Sequence, residues 1–174
     1  MGGTLCLVGG TFDCFHVGHQ ALLEAAFVCD EVEVWVTCDA IAAEKDPRIK
    51  PQSERFKEIS DWAGNRSLSL FDLEDSLGPA PTRSDATHIV CTPETEENCM
   101  KINKMRFEGN LEPLEIILVP HVLARDGDPV SSSRIRQGCI NREGNLWIRD
   151  TDLAQSVHFP SSLDSELKEP MGTL

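Results

Sequence analysis

Apolar and polar positions follow two rhythms along this chain. Residues 5–8 (Leu-Cys-Leu-Val) form a short apolar run, and residues 32–37 (Val-Glu-Val-Trp-Val-Thr) alternate with β-branched residues, so both are predicted strands. Residues 67–71, 88–91 and 114–119 predict three more. Between them lie stretches of helical character: an amphipathic segment at 17–28, a helix over 51–63 with Pro51 near its first turn, and one over 93–107 with Glu94, Glu96 and Glu97 at its start. A short last helix is predicted over 131–138, and Gly78-Pro79-Ala80-Pro81 reads as loop. Strands alternating with helices imply parallel pairing through right-handed crossovers. The expected fold is α/β: a Rossmann-like, doubly wound sheet of five parallel strands. Periodicity fades after about Asp150, which divides the chain into a domain over 1–150 and a C-terminal tail over 151–174.

In such a sheet, ligands bind beyond the carboxyl ends of the strands, where strand order reverses. The turn after the first strand reads Gly9-Gly10-Thr11-Phe12-Asp13-Cys14-Phe15-His16-Val17-Gly18-His19. Gly9 and Gly10 suit a tight or left-handed turn. A helix starting near Val17 directs N–H groups and a positive dipole end at that turn. His16 and His19, three apart, are expected on one side, with Gly18 letting a ligand approach the backbone. Two imidazoles at a helix start suit a polyphosphate, whose transfer chemistry needs positioning and charge stabilisation.

A second segment, Asp128-Pro129-Val130-Ser131-Ser132-Ser133-Arg134-Ile135-Arg136, repeats the theme. Its serines supply helix caps and hydroxyl donors, and Arg134 offers a planar fork for phosphate oxygens.

The formal charge of −13 repels nucleic acid and anionic membrane, and no basic run offsets it. No stretch reaches the length of a membrane span, and the first residues carry no secretory pattern, so the expected compartment is the cytoplasm. The cysteines number seven, an odd count with no Cys-x-x-Cys pair, which argues against a disulfide framework and structural zinc. His88 and Cys91 have loose ligand spacing, but no second pair completes a set. No P-loop occurs.

The Gly-Thr-Phe-Asp and His-x-Gly-His elements resemble the signature of the HxGH nucleotidyltransferase superfamily. Further matches are Pro51 with Glu54-Arg55, Pro93-Glu94-Thr95, Lys101-Ile102-Asn103 with Arg106, residues 111–119, and the Ser-Ser-Ser-Arg-Ile-Arg segment. With these, residues 4–145 resemble the archaeal and eukaryotic type of phosphopantetheine adenylyltransferase. The resemblance implies transfer of AMP from ATP to 4′-phosphopantetheine, giving dephospho-coenzyme A and pyrophosphate, with Mg2+ accompanying ATP. It assigns His16, His19, Thr11 and Lys50 to catalysis. Gly10, Phe12, Gly18, Glu94, Ser131, Ser132, Ser133 and Arg134 fall to the nucleotide, and Asp39, Lys50 and Arg106 to the acceptor. Lys45 and Arg48 are alternatives to Lys50, because residues 45–50 depart from the family's lysine-rich pattern. Cys38 is a second departure, standing before Asp39 where the family tends to have serine. The implied partners are small molecules, with neither nucleic acid nor membrane. Competing readings are a cytidylyltransferase, a flavin or nicotinamide mononucleotide adenylyltransferase, or a non-catalytic nucleotide-binding regulatory domain.

Overall fold

Alternation within the first strand sets up two cores. A computed structural model describes residues 2–147. In β1 (Leu5–Gly10), Cys6 and Val8 join one buried cluster while Leu5 and Leu7 join another on the opposite face. A strand whose neighbouring residues point to opposite sides can do this only when both faces of the sheet are covered.

The remaining elements supply the covers. They are α1 (Val17–Ala26), β2 (Glu31–Thr37), α2 (Asp39–Lys45), α3 (Gln52–Ala63), β3 (Ser69–Leu73), β4 (His88–Cys91), α4 (Glu96–Glu108), β5 (Glu115–Leu118) and α5 (Ser132–Arg136). Leu22, Leu23 and Ala26 of α1 and Ile59 of α3 pack with Cys6, Val8, Val34, Val36 and Val90. Cys99 and Ile102 of α4 pack with Leu5, Leu7, Ile89 and Cys91 on the other face.

The sheet has five parallel strands in the order β3-β2-β1-β4-β5. The chain moves outward from β1 through β2 to β3, then crosses back to β4 on the other side. The order therefore reverses at the β1–β4 pair, and a crevice opens beyond their carboxyl ends. The expected α/β architecture and all five strands are present.

Boundaries differ where pairing overrides local pattern. The third strand runs Ser69–Leu73 rather than 67–71, because its register against β2 pairs Glu33 with Ser69 and Thr37 with Leu73. Helix α2 escapes the sequence pattern altogether: its seven residues, Asp-Ala-Ile-Ala-Ala-Glu-Lys, are too few to display a helical period. Helix α4 begins at Glu96, not at 93, since residues 92–95 close a turn in which Thr95 N donates to Thr92 O. The predicted tail at 151–174 lies outside the described residues. Among those that are described, no helix is long and apolar enough to cross a membrane.

Candidate active site

The crevice at the reversal point holds a cavity of about 460 Å³. Its walls come from the turn after β1, the start of α1, the ends of β4 and β5, and residues 129–136.

The turn is shaped by Phe12 and Cys14, which take left-handed φ values of 55° and 50°, and not by its glycines. Gly10 serves instead for close approach, since a Cβ there would lie 2.9 Å from the Phe12 ring. Phe12 is buried beneath the turn, with its ring 5.1 Å from that of His19.

His16 lies just outside α1 as its N-cap. Its Nδ1 accepts from Gly18 N at 3.1 Å, while its own N–H donates to His19 Nδ1 at 3.4 Å. This is a capping box built from two imidazoles. Their rings stack with centroids 3.7 Å apart. Gly18 is small for this reason, because a Cβ would meet the His16 ring at 3.0 Å. Two of the N–H groups expected to face a ligand are already used, Gly18 N by His16 and Val17 N by Arg142 O. With each Nδ1 accepting, each neutral ring carries its proton on Nε2, a donor for the cavity that both line.

Both imidazoles are held neutral. Burial, then the Arg142 charge, pushes His16 down to about 4, with Asp13 opposing. Burial and the neighbouring His16 push His19 well below its usual value. Below pH 6.5 the unfolded chain protonates these rings while the folded protein does not, so the unfolded state binds more protons and stability falls with pH. The expected result is a loss of up to about 1.4 kcal/mol per pH unit per histidine between about pH 6.5 and 5. Urea unfolding across that range, repeated with His16→Asn, measures it; an unaltered pH slope in the variant would refute the assignment.

Arg55 underlies the site. Its guanidinium is fully buried and donates to the carbonyls of Lys50, Thr11 and Thr37 and to Asp39 Oδ1, all within 2.8–2.9 Å. It ties the β1 turn, the end of β2 and the starts of α2 and α3 into one unit. Thr11, on that turn, lines the cavity and has its hydroxyl 3.4 Å from that of Thr37.

Other expected site residues fall into two groups. Gly10, Thr11, Phe12, His16, Gly18, His19, Glu94, Ser131, Ser132 and Ser133 all line the cavity. Ser131 caps α5, and Ser132 Oγ donates to Asp13 O at 2.6 Å.

Lys50, Asp39, Arg134 and Arg106 are turned to other tasks. Lys50 Nζ donates to Glu58 at 2.7 Å, and Glu58 also accepts from Arg142 and from Phe15 N. Asp39 Oδ1 accepts from Gln52 N at 2.7 Å and from Arg55, so it caps α3. Arg134 pairs with Asp126 and donates to the carbonyls of Asp128 and Pro129, bracing its own loop. Arg106 is buried and spends its donors on the carbonyls of Glu112, Ala80, Arg83 and Ala86. Asn103 likewise exchanges two hydrogen bonds with the Leu114 backbone.

Two cations take their place at the walls: Lys45, from the end of α2, and Arg136, from the end of α5. Spacing alone separates neither from its neighbours. Arg136 donates to Asp13 Oδ2 and, at 3.1 Å, to Asp46. Burial would raise the Asp13 carboxyl, but the Lys50 N–H, Arg136 and the Cys14 thiol together hold it below its usual range.

A second cavity of about 320 Å³ adjoins the first and shares Gly9, Gly10, Lys45, Cys91 and Thr95 with it. Its remaining wall is largely apolar, with Trp35, Ile41, Leu73, Leu77 and Ile102.

Residues 7–138 match the family described as Cytidylyltransferase-like. The phosphopantetheine adenylyltransferase of Methanothermobacter thermautotrophicus is 38% identical over 146 residues, covering 82% of this chain and 89% of its own. That of Methanopyrus kandleri is 36% identical over 136 residues, covering 75% and 87% respectively. Among solved structures, a protein of unknown function from Archaeoglobus fulgidus superposes with a TM-score of 0.61 at 25% identity, over 67% of this chain and 88% of that one. The chain belongs to the cytidylyltransferase-like family of nucleotidyltransferases, in the group of the archaeal phosphopantetheine adenylyltransferases.

Proposed function

We propose that this enzyme transfers the adenylyl group of ATP to 4′-phosphopantetheine, forming dephospho-coenzyme A and pyrophosphate. The observation that carries this reading is the pair of adjoining cavities meeting at the β1 turn, one lined by imidazoles, hydroxyls and Arg136, the other largely apolar. A triphosphate suits the first, and a long, weakly polar arm suits the second.

An oxygen of the acceptor phosphate attacks the α-phosphorus, the bond to the bridging oxygen breaks, and pyrophosphate leaves with that electron pair. No protein nucleophile takes part. His16 and His19 donate through Nε2 to oxygens that gain charge as the bond breaks, and their neutrality keeps both protons in place for the task. Lys45 borders both cavities, which suits a cation that bridges the two phosphate groups.

Among the described residues no cluster of three or more acidic, histidine or cysteine side chains could hold a metal. A magnesium ion entering with the triphosphate would be held by phosphate oxygens and water. A reducing cytoplasm suits the seven free cysteines.

Magnesium-ATP with 4′-phosphopantetheine is expected to yield dephospho-coenzyme A by mass spectrometry. Parallel tubes offer CTP with glycerol 3-phosphate, and ATP with flavin or nicotinamide mononucleotide. Product confined to one of those tubes would overturn the substrate assignment.

Lysine variants test the site itself. Lys45→Ala is expected to lower kcat/KM about tenfold or more, since it removes a charged donor from both cavities. Lys50→Ala is expected to shift the melting temperature while kcat/KM changes by less than about threefold, since its partner is Glu58. Steady-state kinetics on the two variants decides, and a reversed ranking would return the phosphate contact to Lys50.

A further inference from the structure

Asp13 combines features that its place in the turn motif does not require. It is 1% exposed, yet it is ionised and makes contacts from both ends. Its carbonyl accepts from Ser132 Oγ at the start of α5, and its carboxylate accepts from Arg136 at the end of the same helix. It also accepts from Lys50 N at 3.1 Å, which fastens the segment leading into α3. Residue 13 is thus the point through which the β1 turn grips α5 across 119 and 123 positions of sequence.

Arg136 is held at two of its three nitrogens. Nη1 goes to Asp13 and Nε to Asp46, and among the described residues Nη2 makes no hydrogen bond. Asp46 is itself paired with Arg48, through Nε at 3.0 Å and Nη2 at 2.9 Å. The four groups therefore alternate in sign and sum to zero: Asp13, Arg136, Asp46, Arg48. Arg136 lines the nucleotide cavity with only 12% of its side chain exposed. A guanidinium held at Nε and Nη1 presents its Nη2 in a set direction, which lowers the ordering cost of binding an anion.

We infer that Asp13 is a positioning residue: it acts through Arg136, orienting the unpaired Nη2 of that guanidinium towards the triphosphate. This rests on the adenylyltransferase reading for the identity of the ligand. The isosteric amide breaks the device. In Asp13→Asn one polar atom remains an acceptor and the other becomes an NH2, so either Lys50 N or Arg136 Nη1 faces a donor. Arg136 then loses its hold at Nη1.

The test is a double-mutant cycle on the full-length protein, read by magnesium-ATP affinity in calorimetry and by kcat/KM for ATP. Asp13→Asn and Arg136→Ala are each expected to weaken ATP binding about 10- to 100-fold. The double variant is expected to fall within about threefold of Arg136→Ala alone, because Asp13 has nothing left to orient. Losses that multiply would overturn the inference, as would an Asp13→Asn defect that follows only the fraction of unfolded protein in a thermal melt. Should Asp13→Asn fail to fold, Asp46→Asn repeats the cycle from the Nε side of Arg136, and its smaller loss must likewise vanish in the Arg136→Ala background. The calorimetric arm needs no acceptor. ATP bound with the expected coupling but no dephospho-coenzyme A formed would refute the acceptor assignment and leave the role of Asp13 standing.

Discussion

His16→Asn is expected to lower kcat by about 10²–10³-fold while ATP affinity changes only a few-fold. That is the scale of losing one preorganised donor to a developing charge. Asparagine is chosen because His16 also caps α1, its Nδ1 accepting from Gly18 N. Asn is among the best N-cap residues, so the helix start survives while the Nε2 donor is lost. His16→Ala removes both and is expected to cost about 1 kcal/mol of stability in addition. If both variants retain turnover and only alanine loses stability, His16 is a cap and nothing more. If both lose turnover and only alanine loses stability, the two roles of the ring are separated. A decline in ATP affinity as large as the decline in kcat would assign His16 to ground-state binding instead.

Arg106→Ala is expected to destabilise the fold by about 3–5 kcal/mol and to leave kcat/KM of the folded fraction unchanged. The side chain is 1% exposed and its donors go to four carbonyls, from Glu112, Ala80, Arg83 and Ala86. Truncation strands those acceptors in the interior and opens a cavity beside α4. At about 2–4 °C per kcal/mol for a chain of this size, the melting temperature should fall by roughly 6–20 °C. Arg106→Lys should fare little better, because a single ammonium cannot reach carbonyls spread around a planar fork. Thermal melts with activity measured well below the transition check both variants. An unaltered melt with a raised KM for the acceptor would restore Arg106 to the substrate site.

The comparison of Arg106 with His16 shows where sequence reading stopped. His16 and His19 were recognisable because their partners are local: the capping box spans three residues, and the turn before it is written in neighbouring letters. Arg106 sits one helical turn from Asn103 in a helix that shows no sharply apolar face, so its spacing is equally consistent with facing a site or facing water. Its partners lie 6 to 26 positions away, and nothing in the local pattern points to them. The same holds for Lys50 and Lys45. Both lie in one charged stretch, and only the folding of α2, too short to show a period, brings Lys45 to the wall shared by the two cavities.

Short-range information was therefore enough for the five strands, the α/β class, the position of the crevice and the histidine pair. Strand and helix periods and cap residues act over a few neighbours, and parallel connection rules turn that list into a topology. The division of labour among the cations was decided by tertiary structure. A guanidinium or ammonium has no preferred neighbour in sequence, and its role is set by whichever carbonyls and carboxylates the completed fold brings within reach. Arg55, Arg106 and Arg134 are consumed in holding backbone together, whereas Arg136, gripped by Asp13 and Asp46, lines the cavity with its Nη2 unbonded among the described residues. Desolvation enforces that choice, because a buried charge must have its donors satisfied before any remain for a ligand.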